Sequence, residues 1–190
     1  MSAPLPHDHP MTAIALTLAR SWYQGHEVGN DSALAHAVRV ARVLHDYVPD
    51  ASPELLAAAL VHDAPDFAPP ADDLDATLDR HLSPEVTRIV RALEHEHRAL
   101  ADGRHVPPRD LAVLVVSTAD KLVSIRSVLE GADAATGAAT YWRTRSGFVL
   151  AVSYFRLFHC AAADLIPAAM ADDLCHLVRR AEAAIRRERT

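Results

Sequence analysis

The chain has 190 residues, of which 50% are hydrophobic and 23% are charged. This balance is typical of a globular protein with a single core, so we predict one domain over residues 1–190. The net charge of -6 argues against general nucleic-acid binding, because affinity for a phosphate backbone comes from clustered Lys and Arg. A small anionic ligand stays compatible with this charge, since a bound cation can reverse the local charge of an acidic pocket.

The two cysteines, Cys160 and Cys175, lie in separate apolar stretches, so we predict no disulfide and a reducing compartment. The first ten residues contain neither a basic start nor an apolar run, and no later segment reaches the roughly 18 apolar residues that cross a bilayer. These features predict a cytoplasmic protein without a membrane partner. A homo-oligomer is compatible with the sequence.

Helical periodicity dominates the chain, and sustained strand alternation is absent. We therefore predict an all-α bundle of about seven to nine helices. The core is expected over about 11–130, followed by C-terminal helices over 136–188. The predicted helices span 11–24, 33–47, 53–64, 72–79, 84–100, 108–130, 136–162 and 170–188.

Two helix starts are strongly indicated, because Ser52 and Ser83 are each followed by a proline and a glutamate. Three prolines predict a loop over 64–73, and a second loop is predicted over 99–108. Gly131 is expected to end the helix that follows the second loop.

The helix that starts after Ser52 is apolar and ends in two polar residues, His62 and Asp63. On helical spacing Ala59 leads to His62 and Leu60 leads to Asp63, so both polar side chains are predicted to be buried. A buried carboxylate must be paired, hydrogen-bonded or bound to metal. A structural interpretation, with the Asp capping a neighbouring helix and the His bonded to a carbonyl, stays open for this pair alone.

Two further helices direct metal-competent side chains inward. Asp120 is surrounded by valines at helical spacing, and His36 shares a face with Val40 and Val43. Two imidazoles and two carboxylates suit a divalent transition metal; we expect Mn, with Fe, Co, Ni or Zn as alternatives. Such an ion can activate water and polarise a phosphoryl group, so the set predicts hydrolytic chemistry.

The order His36, His62-Asp63, Asp120 resembles the H…HD…D signature of HD-domain phosphohydrolases. The surrounding blocks are similar to those of the hydrolase domain of RelA/SpoT homologues and of small stand-alone alarmone hydrolases. These blocks are VRVARVL over 38–44, AAALVHD over 57–63 and TADKLVSIR over 118–126. The resemblance covers about residues 11–130 and implies an HD-type helical bundle.

The resemblance implies that His36, His62, Asp63 and Asp120 bind the metal, with Asp63 and Asp66 as the catalytic residues. Asp66 stands at the first position of the family's acidic pair and would orient the attacking water, whereas the second position is Phe67. The family's substrate-contacting Asn is replaced by Ser124, a family Thr by Ser127, and the Arg that stacks on guanine has no counterpart near Glu27. These departures leave guanine recognition unassigned.

Two basic residues near Asp120 are candidates for binding substrate phosphate, Lys121 and Arg126. Their alternative is a pair of salt bridges to acidic residues on adjacent helices. The run 94–97, EHEH, together with His105, is interpreted as a solvated surface rather than a second metal site. The aromatic residues of 141–158 are interpreted as core packing.

The leading hypothesis is metal-dependent hydrolysis of a phosphate ester or pyrophosphate bond in a nucleotide or related small molecule. The alternative is a catalytically inactive HD fold that binds a nucleotide or a metal as a sensor or partner module, which the loss of the second acidic residue at Phe67 favours. Retention of all four expected ligands disfavours it. A metal-dependent oxygenase is a weaker third hypothesis, because it needs a second iron and extra His ligands.

Overall fold

The computed structural model describes residues 9–29, 31–70, 73–104 and 106–187. Within these ranges the chain forms an all-α bundle with one two-stranded ribbon. The helices are α1 (Pro10–Trp22), α2 (Ala33–Tyr47), α3 (Pro53–Val61), α4 (Ala64–Phe67), α5 (Leu74–His81), α6 (Pro84–Ala101), α7 (Leu111–Ala134), α8 (Ala138–Thr144), α9 (Ser146–Ala162) and α10 (Ala168–Arg187).

The predicted fold class is confirmed: the described residues form nine helices of seven or more residues and the single turn α4. The two strands, β1 (Glu27–Val28) and β2 (Asp31–Ser32), pair antiparallel immediately before α2. No helix in the described ranges has both the length and the apolar character needed to span a membrane.

Helix α3 is the centre of the bundle. Its residues from Leu56 to Val61 are all buried, and it packs against α1, α2, α6 and α7. A helix that is apolar on every side belongs in a core, because no face of it favours water. The predicted cap is present, since Ser52 Oγ accepts a hydrogen bond from the Leu55 amide. The C-terminal end of α3 therefore lies in the protein interior, and the residue that follows it, His62, is buried.

The long helices α6 and α7 pack against α3 and against each other. The predicted cap of α6 is confirmed, with Ser83 Oγ accepting from the Val86 amide, and Asp110 caps α7 through the Val113 amide. Helix α10 packs along α7 and α9 and extends the same hydrophobic cluster to Ala181. The buried apolar side chains thus form one continuous core.

Three local predictions were wrong. Gly131 does not end its helix, because α7 continues to Ala134. The predicted helix 136–162 is two helices that meet at Arg145, and the predicted loop 64–73 begins with the turn α4, whose proline lies in the first turn where no backbone donor is needed.

Candidate metal centre

Three helices contribute side chains to one buried cluster. His36 lies on the buried face of α2, His62 follows the last residue of α3, and Asp120 lies in the middle of α7. His36 and His62 are buried, and Asp120 is largely so. Since α2, α3 and α7 pack against one another, residues far apart in sequence meet here.

The distances within this cluster match the size of a metal site. His36 Nε2 lies 3.0 Å from Asp120 Oδ1, and His62 Nε2 lies 3.8 Å from the same oxygen. The three potential ligand atoms all lie within 4.8 Å of one another. The side chains of His36, His62 and Asp120 are therefore placed so that they could hold one ion, as the sequence predicts.

Asp63 adds a second carboxylate at the edge of this group. Its Oδ2 lies 3.2 Å from His62 Nε2. Both atoms are buried, and neither has a hydrogen-bond partner among the described residues. Buried polar atoms without partners cost free energy, and two such atoms facing each other are accounted for if a cation binds between them. The donor set therefore fits a divalent metal.

The ring of His62 is held in the orientation that a metal ligand needs. Its Nδ1 lies 2.9 Å from the carbonyl oxygen of Ala59 and donates to it if that nitrogen carries the proton. This tautomer leaves the lone pair of Nε2 facing Asp63 and Asp120. The carbonyl contact that the structural interpretation proposed for this histidine is present, and it orients the ring without occupying its inward-facing nitrogen.

The electrostatics of the cluster keep Asp120 ionised. Burial would raise the pKa of Asp120, but hydrogen bonds with His36 and His97 and the electrostatic influence of the nearby His62 lower that pKa well below its ordinary value. Burial opposes protonation of His36, yet the hydrogen bond to Asp120 and its negative charge outweigh this and raise the pKa of His36. A carboxylate stabilised in its charged form is ready to bind a cation.

His97 is a neighbour that the sequence interpretation missed. Its Nε2 lies 3.6 Å from Asp120 Oδ2, and its ring centroid lies 6.4 Å from that of His62. The solvated-surface interpretation of the run 94–97 is wrong for three of its members, because Glu94 and Glu96 are buried and His97 is half-buried beside Asp120. His95 is exposed as expected, and His105 lies outside the described residues.

Lys121 is engaged in a buried ion pair. Its Nζ lies 2.6 Å from Glu96 Oε1 and 2.7 Å from Ser117 Oγ, and it also stands 4.3 Å from the ring centroid of Phe158. The side chains of Lys121 and Glu96 are each only 3% exposed. These contacts correspond to the salt-bridge alternative for Lys121, so a role in binding substrate phosphate lacks structural support.

Of the other predicted substrate residues, Arg126 and Ser127 line a cavity together with residues of α2, whereas Ser124 contacts Asp120. Ser124 Oγ donates to Asp120 Oδ1 at 3.2 Å, which places it beside the candidate metal cluster. Ser127 Oγ donates to Asp31 Oδ2, and Arg126 donates to Asp173 Oδ2 at 2.9 Å. Arg126 is thus paired as the alternative expected, but it also lines a cavity of about 310 Å³ with Ser127. Substrate binding by Ser124, Ser127 and Arg126 stays a prediction.

The predicted catalytic Asp66 is exposed on α4, one turn after Asp63. The turn is closed by the Asp66 amide, which donates to the Asp63 carbonyl at 3.0 Å. Phe67 has a packing role, since its ring stacks on His26 at 4.8 Å and meets Tyr23 edge-on at 5.5 Å. The position of the family's second acidic residue is therefore filled by an aromatic cluster.

Comparison with known proteins adds no assignment. Searches of protein-family models and of curated proteins give no match for this chain.

Proposed function

We propose that the protein is a metal-dependent phosphohydrolase that acts on a phosphate ester or pyrophosphate bond of a nucleotide or a related small molecule. The observation that carries the proposal is the convergence of His36, His62 and Asp120 beside Asp63, whose buried Oδ2 has no hydrogen-bond partner among the described residues. Two imidazoles and two carboxylates suit Mn, Fe, Co, Ni or Zn better than calcium. The HD-type resemblance of the motif order supports the same reaction class.

The metal would supply Lewis-acid activation of water and charge neutralisation at a phosphoryl group. The chain's own residues supply the remaining steps. His62 is oriented by the Ala59 carbonyl, and Ser124 orients Asp120 by donating to Oδ1. Asp66 lies one helical turn beyond Asp63 and is exposed, so its carboxylate can reach solvent and accept a proton from water.

A second candidate function is metal or nucleotide binding without turnover. It is favoured by Phe67, which packs on His26 and Tyr23 instead of offering a second carboxylate. It is also favoured by Lys121, whose ammonium group is engaged by Glu96. Binding of a nucleotide to the metal-loaded protein with no phosphate release would support this function over hydrolysis.

The test is phosphate release from a panel of nucleotides, pyrophosphates and simple phosphate esters by the protein loaded with Mn²⁺. Activity should be lost in Asp63→Ala, which removes an expected ligand, and should fall strongly in Asp66→Asn with metal binding retained. Asp50→Asn, an exposed loop carboxylate, is the matched control and should leave the rate unchanged. Equal rates for the wild type and Asp63→Ala would contradict the proposal.

A further inference from the structure

A cavity of about 520 Å³ lies next to the candidate metal cluster, between α6 and α9. We call it the α6–α9 cavity, and its volume is within the roughly 300–1,000 Å³ that is typical of small-molecule sites. His97 connects the cavity to the cluster, because its side chain lines the cavity and its Nε2 lies 3.6 Å from Asp120 Oδ2. A molecule that binds at the cluster therefore has adjacent space into which it can extend.

The walls of the α6–α9 cavity are largely apolar. The wall residues on each helix are spaced by three and four positions and so share one helical face. They are His97, Leu100 and Ala101 on α6 and Gly147, Leu150 and Ala151 on α9. His97 is the only ionisable side chain among the described residues that line the cavity. The one hydroxyl among them, Ser153 Oγ, already donates to the Leu150 carbonyl at 3.0 Å.

A buried hydrogen bond ties the two walls together beside the cavity. Tyr154 Oη on α9 donates to Glu96 Oε1 on α6 at 2.6 Å, and both residues are buried. Tyr154 follows Ser153 and Glu96 precedes His97, so the bond lies next to two residues of the cavity lining. Because a buried hydrogen bond to a carboxylate is strong, this contact fixes the separation of the walls before a ligand binds.

Leu150 leaves a large apolar surface uncovered at the α6–α9 cavity. The residue is 74% exposed, although burial of an apolar side chain is favourable. A ligand with an apolar group gains affinity by covering Leu150. A charged group in the same place would lose its water without gaining a partner of opposite charge.

The cavity of about 310 Å³ that Arg126 and Ser127 line has the opposite chemistry. Arg39 and Arg42 also line it, together with three acidic residues. Guanidinium groups suit phosphate oxygens. A second phosphate of a substrate would find cationic partners there, whereas the described lining of the α6–α9 cavity contains neither Lys nor Arg.

We propose that the α6–α9 cavity binds the organic group of the substrate, and that this group is uncharged and largely apolar or aromatic. This inference rests on the proposed function, in which the phosphate of the substrate lies at the candidate metal cluster. It narrows the substrate class to phosphate esters whose organic group carries no second phosphate on the side of α6 and α9. Gly147 and Leu150 are then specificity-determining residues.

The first experiment measures binding of two non-hydrolysable probes, phenylphosphonate and methylphosphonate, to the Mn²⁺-loaded full chain. The wild type should bind phenylphosphonate at least about tenfold more tightly, because only the phenyl group reaches the cavity walls. Gly147→Leu should remove most of this preference. A Cβ built on Gly147 meets no atom within 4 Å, so the new side chain has room and occupies part of the cavity.

Ala161→Leu is the matched control, since it adds the same side chain at an exposed position of α9 outside the cavity lining. This variant should keep the wild-type preference for phenylphosphonate. Equal affinities of the wild type for the two phosphonates would overturn the inference. An equal loss of preference in Gly147→Leu and Ala161→Leu would overturn it as well.

The second experiment introduces a positive charge at the cavity. Leu150→Lys should weaken phenylphosphonate binding and strengthen binding of methylenediphosphonate, whose second phosphonate then has a cationic partner. Leu157→Lys, on the same helix and also exposed, is the control and should change neither affinity. Wild-type affinities for both probes in Leu150→Lys would overturn the inference.

The same measurements keep the inference distinct from the proposed function. Preferential phenylphosphonate binding that Gly147→Leu removes, with no phosphate release from any ester, would support the cavity assignment and refute hydrolysis. Phosphonate binding that is unchanged when Mn²⁺ is removed would instead refute the proposed metal site.

Discussion

Two buried charge clusters meet at adjacent residues of α7, Lys121 and Asp120, and they differ in how completely their polar atoms are satisfied. In the first, Glu96 Oε1 accepts from Lys121 and Tyr154, Oε2 accepts from Ser117, and each of these bonds is 2.6 Å long. Lys121 also donates to Ser117. We call this first group the Glu96–Lys121 pair, and its charges are balanced within the protein.

The second group is the candidate metal cluster of His36, His62 and Asp120, with Asp63 beside it. Here two buried atoms, His62 Nε2 and Asp63 Oδ2, have no hydrogen-bond partner among the described residues. A buried charge alone therefore does not identify a metal-binding site. The polar atoms of the Glu96–Lys121 pair are hydrogen-bonded within the protein, so the pair has a structural role. In the second group His62 Nε2 and Asp63 Oδ2 face each other without hydrogen bonds and are available to bind a cation.

The largest expected effect is on the Glu96–Lys121 pair. Lys121→Met leaves the Glu96 carboxylate buried without its counter-charge and should lower the free energy of unfolding by about 3–5 kcal/mol. Urea unfolding of the metal-free protein measures this. The double variant Glu96→Gln, Lys121→Met should recover a large part of the loss, because no uncompensated charge stays buried. A loss below about 1 kcal/mol in Lys121→Met would mean that the pair is not the buried structural contact described.

Metal should act on the other cluster only. At a free Mn²⁺ concentration about 100-fold above the dissociation constant, binding should raise the free energy of unfolding by about 2.7 kcal/mol, and chelation should reverse it. Asp63→Ala should abolish this response, whereas Asp66→Asn should retain it. Unfolding followed at matched free metal concentrations checks both variants. A full metal response in Asp63→Ala would remove Asp63 from the ligand set.

The two clusters should also respond to pH in opposite directions in the metal-free protein. Burial would raise the pKa of Glu96, but Lys121, Ser117 and Tyr154 outweigh it and lower that pKa below 4.5. The stability from Glu96 is therefore present above pH 4.5 and is lost as the pH falls through the folded-state pKa. The pKa of His36 is raised above 6.5, so its contribution is present below pH 6.5 and is lost as the pH rises through the folded-state pKa.

Single variants distinguish the loss of stability at acid pH from the loss of stability above pH 6.5. Glu96→Gln should reduce the slope on the acid side of the stability profile, to which Asp120 also contributes. His36→Gln should reduce the slope above pH 6.5, to which His97 also contributes because Asp120 raises its pKa as well. The measurement is the free energy of unfolding across this pH range in the presence of a chelator. A His36→Gln variant that keeps the wild-type slope above pH 6.5 would show that the histidine gains no proton affinity from Asp120.

The smallest expected effect concerns the helix that positions His62 and Asp63. Ser52→Ala removes the cap of α3 and should cost about 1 kcal/mol of unfolding free energy. Ser52→Asp, which can accept the same hydrogen bond, should cost much less. Thermal unfolding of both variants measures the difference. Equal stabilities would show that the cap contributes nothing at this helix start.

Much of the fold follows from local signals in the sequence. Helix α2 begins and ends at the predicted residues because Ser32 caps it and its buried face is strictly periodic. The division of the predicted helix 136–162 at Arg145 was harder to predict, since no proline marks it and Gly147, two residues later, lies within α9. At Gly131 the sequence predicted a helix end that is absent. Helix α7 continues through this glycine to Ala134 while it packs against α10.

The inward-facing residues of the motif were predictable because each lies on an apolar helical face. The inward position of His97 could have been predicted from helical spacing in the same way. The buried stripe of α6 runs through Ile89, Val90 and Leu93, and helical spacing continues it to Glu96 and His97. The alternation of Glu and His over 94–97 suggested a solvated surface, so the helical period of the buried face was not followed into this run. The pairing of Glu96 with Lys121 could not be predicted, because it depends on how two distant helices pack.

The most direct test of the central claim is the metal content of the purified chain after saturation with Mn²⁺ and removal of the excess. We predict about one tightly bound ion per chain in the wild type and almost none in Asp120→Asn, because that carboxylate is shared by all the imidazole contacts. Equal metal content in the wild type and the Asp120→Asn variant would contradict the account.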